Sequence, residues 1–360
     1  MTKNNYVAIM AGGIGSRFWP MSRIDYPKQF LDILNTGRTL IQSTFDRFAF
    51  FIPKEHIYIV TTGQYRHIVA EQLPQLPPEN ILCEPSRKNT APCIAYISYK
   101  LQQINPNANL ICAPADHIIL EPDNFKKTCL EALHFTSNIK ALVTLGIKPT
   151  HPNTGYGYIQ YEPMAVSENV YKVKTFTEKP DKELAETFIS SGDFLWNAGI
   201  FVWQIKNIIR AFETFLPEMH DVFDAEKNNF NTPAEKEAIE RIYPLCVNIS
   251  IDYGVMEKAD NVYIIPSSFG WSDLGTWASA YENLEKDHLE NAVAGSNTMM
   301  IDSTKNIIHA DNKKLILIQG LDDFIVVDTP DVLLICKKDK EQAIKEYVAE
   351  VKRNKGEKFI

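Results

Sequence analysis

Apolar and polar positions along the first half of the chain follow two alternating rhythms. Short apolar runs at Tyr6–Met10, Ile57–Val60, Asn80–Cys83, Asn109–Cys112 and Ala141–Leu145 predict buried strands. Between them, apolar residues recur at helical spacing over Leu40–Phe51, Gln64–Leu73, Asn89 to about Gln103, and Phe125–Phe135. Strand and helix in alternation predict an α/β fold, with a mostly parallel sheet flanked by helices on both faces. In such sheets ligands sit at the carboxyl ends of the strands.

The pattern then changes. Residues 155–161 and Val170–Glu178 alternate as an antiparallel insertion would, and helical spacing returns at Lys182–Ser190, Lys206–Phe215 and Ala234–Tyr243. Asn261–Pro266 predicts another strand. Five short apolar runs follow, at Thr298–Ile301, Asn306–His309, Leu315–Ile318, Phe324–Val327 and Val332–Ile335. Their even spacing predicts a small all-β unit, either antiparallel strands or coils of a β-helix. A last helix is expected over Lys340–Lys352. Its stripe of Ala343, Ile344, Tyr347, Val348 and Val351 suits packing on its own domain better than a partner site. The division expected is 1–288 for a catalytic domain and 289–360 for the β unit with its helix.

Composition narrows the class. The 360 residues are 45% hydrophobic and 23% charged, as in a soluble globular protein. A net charge of −8 leaves no basic footprint for nucleic acid, so an anionic substrate must be met by local cations. No apolar run is long enough for a membrane span, and none reads as a signal peptide. Six scattered cysteines without a C-x-x-C pair suit reduced thiols in the cytoplasm. Eight histidines without metal-ligand spacing argue against zinc.

The chemistry gathers at strand ends. The first strand runs into Ala11-Gly12-Gly13-Ile14-Gly15-Ser16-Arg17, and Pro27-Lys28-Gln29-Phe30 follows. Glycines without Cβ let backbone N–H groups approach phosphate oxygens, and Arg17 and Lys28 add cations beside them. The spacing fits neither a P-loop nor a dinucleotide fingerprint. Asp116 follows the fourth predicted strand, in Pro114-Ala115-Asp116-His117. It can hold Mg²⁺ against a nucleotide phosphate or cap a helix. Asp273, in Gly270-Trp271-Ser272-Asp273-Leu274-Gly275, carries the same two readings.

Gly12-Gly13-x-Gly15-x-Arg17 with Pro27-Lys28 resembles the sugar-1-phosphate nucleotidyltransferases. Gln29-Phe30 and the downstream motifs resemble its mannose-1-phosphate guanylyltransferase branch. The resemblance implies a nucleotidyltransferase fold with a short left-handed β-helix used in dimer contacts, and hence a homodimer. It implies GTP and mannose 1-phosphate as substrates, and GDP-mannose and pyrophosphate as products, with Mg²⁺ shared by Asp116 and Asp273. The nucleotide would be bound by Ala11, Gly12, Gly13, Gly15, Ser16, Arg17 and Lys28. The Glu84–Pro92 loop, with Glu84, Pro85, Asn89, Thr90 and Ala91, resembles the base-recognition segment; read alone it is a polar turn with a helix cap. Glu178 and Asn197 would bind sugar hydroxyls, Lys179 the sugar phosphate, and Gly157 would let the ring approach. Without the family, Glu178 and Lys179 read as a strand-end salt bridge. Asp252 reads equally as a sugar ligand or an N-cap. The catalytic set would be Arg17, Lys28, Asp116, Lys179 and Asp273. Phosphomannose isomerase activity is not expected, since the extra barrel of bifunctional relatives is not in the sequence.

Overall fold

The computed structural model describes residues 4–13, 15–295, 297–310 and 314–360; Ile14, inside the glycine-rich segment, lies outside the described residues. The strands are β1 Asn5–Met10, β2 Ile57–Thr62, β3 Ile81–Glu84, β4 Asn109–Pro114, β5 Ile118–Ile119, β6 Leu142–Ile147, β7 Gly157–Ser167, β8 Val170–Glu178, β9 Phe194–Gln204, β10 Val262–Ser267, β11 Trp271–Ser272, β12 Ala292–Ala294, β13 Thr298–Ile301, β14 Ile307–Ala310, β15 Ile316–Gln319, β16 Phe324–Asp328 and β17 Leu333–Lys337. The helices are α1 Leu40–Ala49, α2 Arg66–Gln72, α3 Thr90–Ile104, α4 Pro122–Asn138, α5 Lys182–Ser191, α6 Ile205–Phe215, α7 Pro217–Ala225, α8 Glu235–Ile242, α9 Trp277–Asn283 and α10 Ile344–Lys355.

Two compact units form from interleaved segments. One holds residues 1–12, 45–114 and 119–271; the other holds 13–44, 115–118 and 272–360. The first is built on a sheet of order β3-β2-β1-β4-β9-β6-β10-β8-β7. β3, β2, β1 and β4 run parallel, as do β6 and β10. The inserted hairpin β7–β8 is antiparallel, as its alternation predicts. β9 lies antiparallel between β4 and β6 and has no counterpart among the strands read from sequence. Its apolar run, buried along most of its length, lacks the alternation that marks a half-buried strand.

Strand alternation sends neighbouring side chains to opposite faces. Tyr6, Ala8, Tyr58, Val60, Leu110 and Cys112 share one cluster with α3 and α6. Val262 belongs to that cluster, while the next residue, Tyr263, stacks edge-on against Phe135 of α4 at 5.1 Å. Helices therefore cover both faces.

In the second unit the late strands form parallel coils. Ala292 lies beside Ile307, and Ile307 beside Ile325, while Thr298 lies beside Ile316 on a separate two-stranded sheet. β17 returns antiparallel, on β16. This is a β-helix-like stack. Buried Asn306 links its turns: its amide donates to Asn291 Oδ1 at 3.0 Å and to the Leu321 carbonyl at 2.9 Å. Ile307, Ile325 and Val327 face a core completed by Phe18, Trp19, Leu40, Trp277 and Ile344. Val348 and Val351 pack on the same cluster, so the last helix uses its apolar stripe within its own unit, with Tyr347 left exposed. Among the described residues no helix is long and apolar enough to cross a membrane.

Candidate active site

The second unit gathers the phosphate-loop residues around one cavity. After Gly13 the chain turns through Gly15, whose φ of 65° lies in the left-handed region. A Cβ on Gly15 would stand 2.6 Å from Cβ and Cγ of Lys28, so the loop lies directly on the lysine stem. Gln29 Nε2 donates to the Gly13 carbonyl at 3.0 Å, and Ser22 Oγ to the Gly15 carbonyl at 2.6 Å, fixing the turn from below. The cavity, of about 350 Å³, is lined by Gly15, Ser16, Arg17, Lys28, Asp116 and Asp273, with His117, Gly275 and Lys345.

Lys28 is 6% exposed. Its ammonium donates to Asp116 Oδ2 at 3.1 Å, the Asp273 carbonyl at 3.1 Å and the Leu274 carbonyl at 2.8 Å. Three protons meet three acceptors. Burial would push Asp116 up, but the Lys28 charge, then His117, outweigh it and hold the carboxyl below its usual range. Neither aspartate is a helix cap. α4 starts later, at Pro122 with Glu121 before it, and α9 is capped by Thr276 in a capping box with Ser279. Asp273 Oδ1 accepts the Gly275 N–H at 3.1 Å instead. Arg17 Nε is buried without a hydrogen-bond partner among the described residues.

The first unit holds two further groups. In one, Asn197 on β9 accepts from Thr144 Oγ1 at 2.9 Å and from the Gly199 N–H at 3.1 Å, and its amide donates to Asp252 Oδ1 at 2.8 Å. Asp252 opens a π-helical turn, Asp252–Met256, whose cap position is Ile251, so its carboxylate is free of the N-cap duty. Burial, then the Glu178 charge, push Asp252 up to about 6. Glu178 pairs with Lys179 Nζ at 2.6 Å, yet its Oε2 is buried without a hydrogen-bond partner among the described residues. Burial opposes the Lys179 charge, but the hydrogen bond and charge of Glu178 raise its pKa on balance. Gly157 stands opposite Glu178 in the hairpin register, and a Cβ there would collide with Glu178 Oε2. Tyr156 adds a ring, edge-on to Trp196 at 5.0 Å and to Trp271 at 5.3 Å.

In the other group, Glu84 closes β3, 5% exposed, and accepts a hydrogen bond from the Tyr243 hydroxyl. Burial pushes Glu84 up to about 7, against the Tyr243 bond and Arg87. A Cβ on Gly12 would lie 3.7 Å from Glu84 Oε2, so Glu84 faces the start of the glycine segment. The Ala11 carbonyl accepts from Thr61 Oγ1 at 2.8 Å. Pro85 is exposed. Asn89 caps α3 by accepting the Thr90 N–H at 2.9 Å. Thr90 Oγ1 accepts the Ile251 N–H at 2.8 Å, and the Ala91 N–H donates to the Ile249 carbonyl at 3.1 Å. Both tie the start of α3 to the turn that carries Asp252.

A nucleotidyl transferase family model matches residues 6–290. The chain belongs to the nucleotidyl transferase family. A second model, for the MannoseP isomerase/GMP-like β-helix domain, matches residues 296–351. The chain is 34% identical to a mannose-1-phosphate guanylyltransferase of Escherichia coli, over 94% of this chain and 74% of that protein. It is 36% identical to the alginate biosynthesis protein AlgA of Pseudomonas syringae pv. tomato, over 95% of this chain and 70% of that protein. A crystal structure from Thermus thermophilus, described as a mannose-1-phosphate geranyltransferase, superposes with a TM-score of 0.87 at 28% identity, covering 97% of this chain and 99% of that one.

Two residues beside these groups are not reached by motif reading. Tyr243 lies far along the sequence from the Glu84 it bonds, and nothing around it marks it out. Lys345 belongs to a stretch read only for its apolar stripe. A helical wheel does place a lysine beside that stripe, but only the fold shows what it faces.

Proposed function

We propose that this protein transfers GMP from GTP to α-D-mannose 1-phosphate, releasing pyrophosphate and forming GDP-mannose. The observation that carries the reading is the cavity where Arg17, Lys28, Asp116 and Asp273 meet beneath a glycine turn. The names of relatives at about a third identity over nearly the whole chain supply the base and the sugar. A phosphate oxygen of the sugar phosphate attacks the α-phosphorus, and the bond to the bridging oxygen breaks with its electron pair leaving on pyrophosphate. The second pKa of a phosphate monoester is about 6, so the attacking group is largely ionised at neutral pH and needs no general base. Catalysis is then positioning and charge stabilisation.

The donor set fits Mg²⁺. Two carboxylates on one cavity, one of them held ionised, match an ion that takes one or two protein carboxylates and completes its shell with phosphate oxygens and water. Asp116 and Asp273 would hold it, and it would supply charge neutralisation at the phosphates. Arg17 meets the departing pyrophosphate, and Lys28 holds Asp116 and the 273–274 backbone in place. Lys179 receives the sugar phosphate. Glu178, whose carboxylate occupies the space beside Gly157, accepts from sugar hydroxyls together with Asp252, and Asn197 accepts from or donates to them. Glu84, or a backbone carbonyl of the Glu84–Pro92 or Ala11–Gly13 segments, accepts from the guanine N1 and N2 donors; Glu84 Oε2 faces the start of the glycine segment. A homodimer in the cytoplasm completes the reading; the free cysteines suit a reducing compartment.

The test is pyrophosphate release across four nucleoside triphosphates and several sugar phosphates. GTP with mannose 1-phosphate should lead, with discrimination against ATP of up to about 10⁴-fold because adenine would leave a buried acceptor unpaired. Equal use of ATP and GTP would remove the guanylyl assignment and leave nucleotidyl transfer standing.

A further inference from the structure

α10 opens with Ile344, fully buried in the same cluster as Phe18 and Trp19 of the phosphate loop. Two polar ties hold this part of the chain in register. Trp19 Nε1 donates to the Phe359 carbonyl at 2.7 Å, and Glu341 Oε2 accepts the Ala278 N–H at 2.7 Å. With Ile344 turned inward, the next residue, Lys345, is carried to the wall of the phosphate cavity.

That position is electrostatically unfavourable by itself. The Arg17 charge, then burial, lower the Lys345 pKa. Glu341 offsets part of the Arg17 charge, but its carboxylate is already engaged by Ala278 and Thr276. The Lys28 protons are taken by three oxygens, whereas Arg17 Nε has no partner among the described residues. Two cations brought side by side, against local preference, call for an anion between them.

We propose that Lys345 is a direct ligand of pyrophosphate, holding with Arg17 the terminal phosphates of the incoming triphosphate and of the leaving group. The inference rests on the nucleotidyl transfer reading above. The bond that breaks is the one between the α-phosphorus and the bridging oxygen. Lys345 keeps its proton and donates hydrogen bonds to oxygens whose charge grows as that bond opens.

Lys345→Met should lower kcat by about 10-fold, less than the roughly 10²–10³-fold for a buried charge stabiliser, because the side chain sits at the exposed rim. In the reverse reaction it should raise KM for pyrophosphate by a similar factor while KM for the nucleotide sugar stays within about 2-fold. Lys345→Arg should recover most of the loss. Lys352→Met, on the same helix, is the control and should behave as the parent. Calorimetry of inorganic pyrophosphate binding to the full chain gives a reading independent of turnover. If the parent transfers no nucleotide to any sugar phosphate, the functional reading fails, while weaker pyrophosphate binding by Lys345→Met still supports the ligand assignment. Unchanged pyrophosphate affinity and KM in Lys345→Met overturn it. So does an equal loss for both substrates accompanied by a fall in melting temperature, which would make the residue structural.

Discussion

Three oxygens around the Lys28 ammonium make it the support of the carboxylate it touches. Lys28→Ala would leave Asp116 and two carbonyls without their donor. Because the Asp116 side chain keeps 25% of its surface exposed, the loss of stability should be about 2–3 kcal/mol, below that for breaking a fully buried pair. Turnover should fall about 10²–10³-fold with a smaller change in GTP affinity; steady-state kinetics beside thermal unfolding separate the two effects. Unchanged kcat would remove Lys28 from the mechanism. Glu84 offers a pH test. Its folded pKa of about 7 lies above the usual 4.5, so the folded state holds the proton more tightly than the unfolded one. Its contribution to stability is complete below about 4.5 and is lost as pH rises through about 7. Glu84→Gln keeps an acceptor for Tyr243 and does not titrate. It should match the parent near pH 4 and exceed it at pH 8, by about 3 kcal/mol at most, in chemical denaturation. A constant difference across that range would contradict the buried ionisable Glu84. Asp116 and Asp273 are visible in sequence as candidates because they follow β4 and β11, and Arg17 and Lys28 because they belong to the glycine-rich and Pro27-Lys28 motifs. Tyr243 and Lys345 are not, since their roles come from chain segments brought together over long separations.

At the scale of elements, the hairpin β7–β8 and the strand β9 build the polar group around Asn197. The absence of a side chain at Gly157 is what allows Glu178 to lie across the hairpin. Gly157→Ala should therefore displace the carboxylate and raise KM for the sugar phosphate by about 10-fold or more, with less effect on KM for GTP; a loss confined to GTP would move this hairpin out of sugar binding. Most strands and helices follow from their periodicity to within a few residues. β9 does not, because a strand buried on both sides has no polar alternation to betray it. The choice left open for the late strands, antiparallel or coiled, is decided for coils by parallel pairings between successive turns, which periodicity alone cannot distinguish.

At the scale of the whole molecule, the β-helix-like stack leaves apolar side chains on its outer face. Met299 and Leu317, cross-strand neighbours, are both exposed, as are Ile301 and Leu315. That patch is the expected dimer contact. The double variant Met299→Asp/Leu317→Asp should sediment as a monomer where the parent sediments as a dimer, and a parent already monomeric would defeat the assignment. The interleaving of the two compact units is the least legible feature of the sequence, because residues 13–44 carry no local sign that their packing partners lie beyond residue 272.

That interleaving sets a timetable for synthesis. The glycine turn is among the first segments to leave the ribosome, yet Trp277, Ile307, Ile325 and Ile344, which bury Phe18 and Trp19, are among the last. At about 5–20 residues added per second the two aromatic rings wait on the order of tens of seconds without their core. A polypeptide that stops before residue 272 lacks Asp273, Gly275 and Lys345, and with them one side of the cavity that the glycine turn closes.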